Sequence, residues 1–136
     1  MNYLLDTNIL SDARRRSSPA LNNWLSQQRI SELAISVITI FELEKGVQRL
    51  ERRDNVQGRL LREWLEHSVR TTFSRKIHPV TEEIATVAAG LHVPDPMPEM
   101  DALIAATALV HGMTLVTRNT KDFNQISVRL LNPHEL

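Results

Sequence analysis

The sequence predicts an α/β protein, a three-layer α/β/α sandwich around a five-stranded parallel sheet. Three observations predict it. Short apolar runs of strand length lie near residues 2–6, 33–36, 76–80, 114–117 and 127–131, and stretches with a 3.6-residue apolar period separate most of them. Strands alternating with helices build a parallel sheet with helices on both faces, because a parallel crossover needs a connection of helix length. With 136 residues, no internal repeat and no linker-like segment, the chain reads as a single domain over 1–136.

The elements follow in order. Residues 2–6 form a first strand that stops at Asp6, and the polar and basic run to Ser18 reads as the break after it. Ser18-Pro19 starts an amphipathic helix through about Gln28, with Leu21, Trp24 and Leu25 on its apolar face. Residues 33–36 are the second strand. Thr39 and Glu42 have capping-box spacing at the start of a helix faced by Ile40, Leu43, Val47 and Leu50. Val56, Leu60, Leu61, Trp64 and Leu65 continue at helical spacing, so residues 40–68 read as a helical hairpin, with Gly58 a local weakness and the apolar faces a candidate dimer seam.

Residues 76–80 are a third strand. Thr81 caps a helix faced by Ile84, Val87, Ala88 and Leu91, and Pro94, Pro96 and Pro98 make a stiff connection after it. Residues 99–111 form a helix in which Ile104, Ala105 and Ala108 follow Asp101 at three, four and seven positions, and Gly112 closes it. Residues 114–117 and 127–131 complete the sheet on either side of a turn from Arg118 to Asn124.

Composition narrows the chemistry. The chain has no cysteine, which excludes disulfides, cysteine-ligated zinc, iron–sulfur clusters and thiolate catalysis. No apolar run reaches the roughly 18 to 20 residues of a membrane span, and no signal-peptide pattern precedes Asp6, so no membrane role and a cytoplasmic location are expected. Formal charge is zero, with 16 basic and 16 acidic residues, but arginines cluster at Arg14, Arg15 and Arg16 and again at Arg49, Arg52 and Arg53. Guanidinium forks suit phosphate, so both clusters are candidates for contacts to a phosphate backbone or a partner, flanking one sheet edge.

Four acids converge in this topology. Asp6 follows the first strand, Glu42 lies early in the helix after the second, Asp101 opens the helix before the fourth strand, and Asp122 follows the fourth. All four belong to the carboxyl edge of the sheet, where open α/β folds place ligands. Singly, each has an ordinary explanation as a helix-dipole or turn residue. Together they repel one another, an arrangement that a divalent cation neutralises. An all-oxygen donor set suits Mg²⁺ or Mn²⁺, which activates water and stabilises charge on phosphate oxygens. Thr7, Asn8, Thr117 and Asn119 would line the same rim as supporting donors or water ligands.

The blocks Asp6-Thr7-Asn8-Ile9-Leu10-Ser11, residues 36–46 around Glu42, residues 101–108 and residues 117–123 resemble, in order, those of a PIN domain, and more narrowly a VapC-type toxin of the FitB branch. The likeness runs from Asn2 to Pro133. It implies a Mg²⁺- or Mn²⁺-dependent endoribonuclease, often acting on transfer RNA, with Asp6, Glu42 and Asp101 as core catalytic and metal-binding acids and Asp122 as a more variable fourth. It also implies a homodimer and a neutralising, DNA-binding, VapB-like antitoxin, with operator DNA bound only through the complex. The alternative is a PIN-like scaffold that binds RNA or a partner without cutting. A receiver-like phosphoacceptor fails on placement, because the third strand runs into Pro79-Val80-Thr81 with no acceptor Asp.

Overall fold

The computed structural model describes residues 2–136. Five strands, β1 (Tyr3–Leu5), β2 (Leu33–Ser36), β3 (Ile77–His78), β4 (Thr114–Val116) and β5 (Leu130–Leu131), form one parallel sheet in the order β3-β2-β1-β4-β5. β1 is central, with Leu4 in register with Ala34 on one side and Leu115 on the other. The chain leaves β1 in one direction for β2 and β3, then returns to its other side for β4 and β5. The gap between the carboxyl ends of β1 and β4 is therefore the switch point of the sheet.

Alternation along the strands builds both faces. Leu5, Ile35 and Val116 point into one cluster with helices α1 (Thr7–Arg15), α2 (Pro19–Ser26) and α3 (Val37–Arg53). Their neighbours Leu4, Ala34 and Leu115 point into the other, with α7 (Glu99–His111). Successive strand side chains alternate between faces, so a strand of three or four apolar residues serves both layers. α7 is apolar on two sides: Ile104, Ala105 and Ala108 meet the sheet, while Ala102 and Ala106 meet Ile84 and Ala88 of α6 (Glu82–Leu91). A helix buried all round has no polar face left, which is why its apolar run looks nearly continuous.

Three local expectations are corrected and a fourth is extended. The polar run after Asp6 is not a break but α1, whose Ile9, Leu10 and Ala13 reach the core and which ends at Arg16 in a left-handed conformation. The expected capping box at Thr39 and Glu42 does not form. Ser36 caps α3 by accepting the Ile38 N–H at 3.0 Å, and Thr39 lies buried inside the first turn. The third and fifth strands are shorter than expected, limited to two residues each at the sheet edges. The hairpin is confirmed and runs further: α4 (Asn55–Trp64) passes through a π-helical turn at Leu65–Val69 into α5 (Arg70–Thr72).

Gly58 is not a weakness. A Cβ there would stand 2.5 Å from Glu51 Cα and 2.8 Å from Glu51 N, so the missing side chain lets α4 press against the backbone of α3. Arg62 ties the same pair, contacting Glu44 at 2.7 Å and Glu51 at 3.1 Å, and holds the Glu44 carboxyl down at about 2. Gly58→Ala, although it raises helix propensity, should therefore destabilise the protein by about 1–3 kcal/mol, read as a lower urea midpoint at unchanged slope.

Candidate active site

β1 ends at Asp6, whose backbone N–H continues the ladder to Val116 O at 2.9 Å. The residue is only 5% exposed. Oδ1 accepts the Thr7 N–H at 2.8 Å, capping α1, and Oδ2 accepts the Thr117 hydroxyl at 2.8 Å and Asn8 Nδ2 at 3.3 Å. Asn8 also donates to Thr117 Oγ1 at 3.3 Å, and Thr117 Oγ1 accepts the Asn119 N–H at 3.1 Å. The ends of β1 and β4 are thus fastened by side chains as well as by backbone. Thr7, Asn8 and Thr117, expected as supporting donors, have these contacts, whereas Asn119 contributes its backbone and lines the cavity.

Glu42 sits in the second turn of α3 and accepts the Thr7 hydroxyl at 2.6 Å, while the Thr39 hydroxyl stands 3.0 Å from that of Thr7. Thr7 therefore holds Glu42 beside Asp6. Asp101 opens the first full turn of α7, and Asp122 lies in a 3₁₀ turn, Thr120–Phe123, anchored by the buried Phe123. Asp6, Glu42, Asp101 and Asp122 line one open cavity of about 340 Å³ at the switch point, together with Thr7, Asn8 and Asn119.

The electrostatics record their proximity. Burial pushes the Asp6 carboxyl up from its ordinary value; the Thr117 and Thr7 hydrogen bonds oppose this, and the charges of Glu42 and Asp122 add to it. Asp101 is pushed to about 6, first by burial and then by Asp6, Asp122 and Glu42. The donor set is entirely oxygen and carries excess negative charge, which fits a hard divalent cation. Among the described residues, no three His, Cys or carboxylate side chains converge into a ready-made metal cage.

The basic clusters separate. Arg15 lines the acid cavity, and Arg14 stands 5.8 Å over the Trp64 ring in an adjoining groove that reaches Glu42. Arg16 ends α1. Arg49, Arg52 and Arg53 are exposed and line neither space. They follow Glu42 along α3, which at 1.5 Å per residue carries them about 10–16 Å towards the opposite sheet edge. The expectation that both clusters flank one edge holds for the first cluster alone.

Two charged cavity residues escaped the sequence reading. Asp12 on α1, 5% exposed, accepts from Arg118 Nη1 at 2.7 Å and pairs with His134 Nε2 at 3.0 Å. Both line up only once α1 is recognised: Asp12 lies six residues after Asp6, and Arg118 directly follows Thr117.

A sign follows for the stability of the metal-free protein. Asp101 titrates higher in the folded chain, near 6, than its ordinary 3.8, so its ionised form opposes folding. That cost is absent below about pH 4 and grows as pH rises through 6. Asp101→Asn should therefore melt higher than the parent at pH 7 in EDTA, by about 1–2 kcal/mol after allowing for solvent screening, with the difference vanishing near pH 4.

The comparisons with known proteins agree with this geometry. The PIN domain family model matches residues 3–128. The chain is 32% identical to the toxin FitB of Neisseria gonorrhoeae (strain ATCC 700825 / FA 1090), over 96% of each chain. It is 29% identical to the VapC ribonuclease Y4jK of Sinorhizobium fredii (strain NBRC 101917 / NGR234), over 97% of each. A structure of FitAB bound to an IR36 DNA fragment superposes with a TM-score of 0.90 at 31% identity, covering 98% of this chain and 96% of that one. With the family model spanning almost the whole sheet and all four acids, this chain belongs to the PIN-domain family.

Proposed function

We propose that this protein is a metal-dependent endoribonuclease that hydrolyses RNA phosphodiester bonds as the toxin of a type II toxin–antitoxin pair. The observation that carries the reading is the meeting of four carboxylates from four separate elements in one solvent-open cavity at the switch point. The names of its relatives, a toxin and a ribonuclease, point the same way.

Asp6, Glu42 and Asp101 would hold Mg²⁺ or Mn²⁺, directly or through water, and Asp122 would complete the charge around it. Such an ion supplies Lewis-acid stabilisation of charge on a phosphate oxygen and an acidified water. The residues themselves supply orientation. Thr117 and Asn8 occupy one oxygen of the Asp6 carboxylate and Thr7 fixes one oxygen of Glu42, which leaves Asp6 Oδ1 and both Glu42 oxygens with lone-pair capacity for a cation. Because Asp101 holds its proton up to about pH 6, cation binding competes with that proton and weakens below it.

A neutralising antitoxin has a natural seat beside the acids. The groove from Thr7 and Glu42 to Leu50, Leu61 and Trp64 is apolar along its floor and carries Arg14 and Arg15 at its rim. The family resemblance implies that DNA would be bound through the partner, a VapB-like protein, and the FitAB structure, bound to a DNA fragment, supports this. Val37 and Phe41 on α3, 38% and 51% exposed, supply apolar surface for the homodimer expected from the family resemblance. No described helix is long and apolar enough to cross a membrane.

The test is cleavage of purified transfer RNA by antitoxin-free protein with Mg²⁺, Mn²⁺ or EDTA, beside Asp101→Asn and Glu42→Gln. Discrete fragments that need the metal, and a loss of at least about 10²-fold in kcat/KM in either variant, are expected. The alternative reading is a non-cleaving RNA- or partner-binding scaffold. Survival of both transfer RNA and total RNA under every metal would establish that reading instead.

A further inference from the structure

One cation at the acid cavity is held in place on three sides. The Arg118 N–H donates to Asn8 Oδ1 at 3.2 Å, its carbonyl accepts from Asn132 Nδ2 at 3.2 Å, and its Nη1 donates to Asp12 Oδ1 at 2.7 Å. Asp12 is fixed in turn. Its other oxygen meets His134 Nε2 at 3.0 Å, and His134 Nδ1 lies 2.9 Å from Ser18 Oγ. Asn132 accepts the His134 N–H at 3.0 Å, which ties the turn Pro133–Glu135 into the same assembly. Arg118 and Asp12 both line the cavity of the four acids.

This arrangement does more than bury a charge. A guanidinium has five N–H donors, and Asp12 takes one, while the Arg118 side chain stays 48% exposed at the cavity. Arg15, by contrast, is 65% exposed and meets the same Asp12 oxygen at 3.6 Å, a loose contact. A polyanion approaching four carboxylates is repelled, and a guanidinium already held in place offsets that repulsion without the ordering cost of a free arginine. Its planar fork matches phosphate oxygens.

We propose that Arg118 is a substrate-binding residue of this site, gripping a phosphate oxygen of the RNA strand at the cavity mouth, and that Asp12 and His134 are its positioning residues. The proposal rests on the reading of the site as one that acts on RNA. The competing role for these residues is a structural brace between α1 and the turn at Pro133–Glu135.

Two measurements separate the roles. The first is binding of a fluorescent oligouridylate, in EDTA and over a salt series, to Asp101→Asn protein with and without Arg118→Ala, Arg118→Lys or Asp12→Asn. The second is steady-state cleavage of transfer RNA by the same variants in the active background, with thermal melts alongside. Arg118→Ala is expected to weaken oligouridylate binding about 10-fold or more and to reduce the salt slope by about 0.7, one single-strand phosphate contact. KM should rise with kcat nearly unchanged. Arg118→Lys should recover part of the affinity and the whole salt slope, and Asp12→Asn should raise KM less than Arg118→Ala. Arg75→Ala, an exposed arginine outside the cavity, is the control expected to change none of these.

An Arg118→Ala protein that binds oligouridylate with the parent's affinity and salt slope, whatever its melting temperature, would overturn the proposal in favour of the brace. So would a failure of the parent to bind oligouridylate at the lowest salt. If the parent binds but cuts no RNA, and Arg118→Ala still weakens binding, the cleavage reading fails while the assignment of Arg118 stands.

Discussion

The fold turns on one buried carboxylate. Asp6 ends the central strand, caps the helix that follows and accepts the hydroxyl of Thr117 at the end of the neighbouring strand, so a single side chain joins three elements at the switch point. Burial alone pushes that carboxyl up, and the charges of Glu42 and Asp122 push further; the hydrogen bonds from Thr117 and Thr7 pull it back. The net effect is a charge held where it is least comfortable. Such a position persists when the surroundings over-determine it, and here both backbone and side chains do so.

The remainder of the fold brings three more acids to that point. A sheet covered on both faces must send its chain out by helices, and each crossover returns a helix start to the carboxyl edge. The start of α3 brings Glu42 and the start of α7 brings Asp101, while the turn after β4 brings Asp122. α7 can do this because its apolar faces are satisfied by the sheet on one side and by α6 on the other, which leaves its first turn facing the cavity.

The sheet, the crossover helices and the convergence of the four acids were legible in the sequence, because period, capping and chain order act locally and topology does the rest. What was not legible depended on contacts between distant segments. α1 was hidden because its apolar face needs only Ile9, Leu10 and Ala13, too few for a period to emerge from a run rich in arginine. Glu42 carries capping-box spacing, yet Ser36 wins the cap, which frees the glutamate to meet Thr7. Gly58 resembles a helix defect until the backbone of α3 is seen against it. Asp12 and Arg118, separated by 106 residues, become partners only through the parallel pairing of β1 with β4.

The same pairing explains why charge balance, zero in total, is so uneven locally. Five carboxylates line the cavity, and the guanidinium of Arg118 is bound to Asp12 rather than to any of the other four. Had Arg118 been bonded directly to Asp6 or Asp101, it would have neutralised the acids and taken the lone pairs that a divalent cation needs. Its bond to Asp12 instead leaves the four acids uncompensated. An uncompensated acid cluster costs stability in the empty protein and returns it on binding, because whatever binds only the folded form stabilises it by mass action. In the proposed nuclease the metal and the RNA backbone are then complementary occupants: the cation relieves the four acids, and the phosphate completes the donors of the arginine that Asp12 holds beside them.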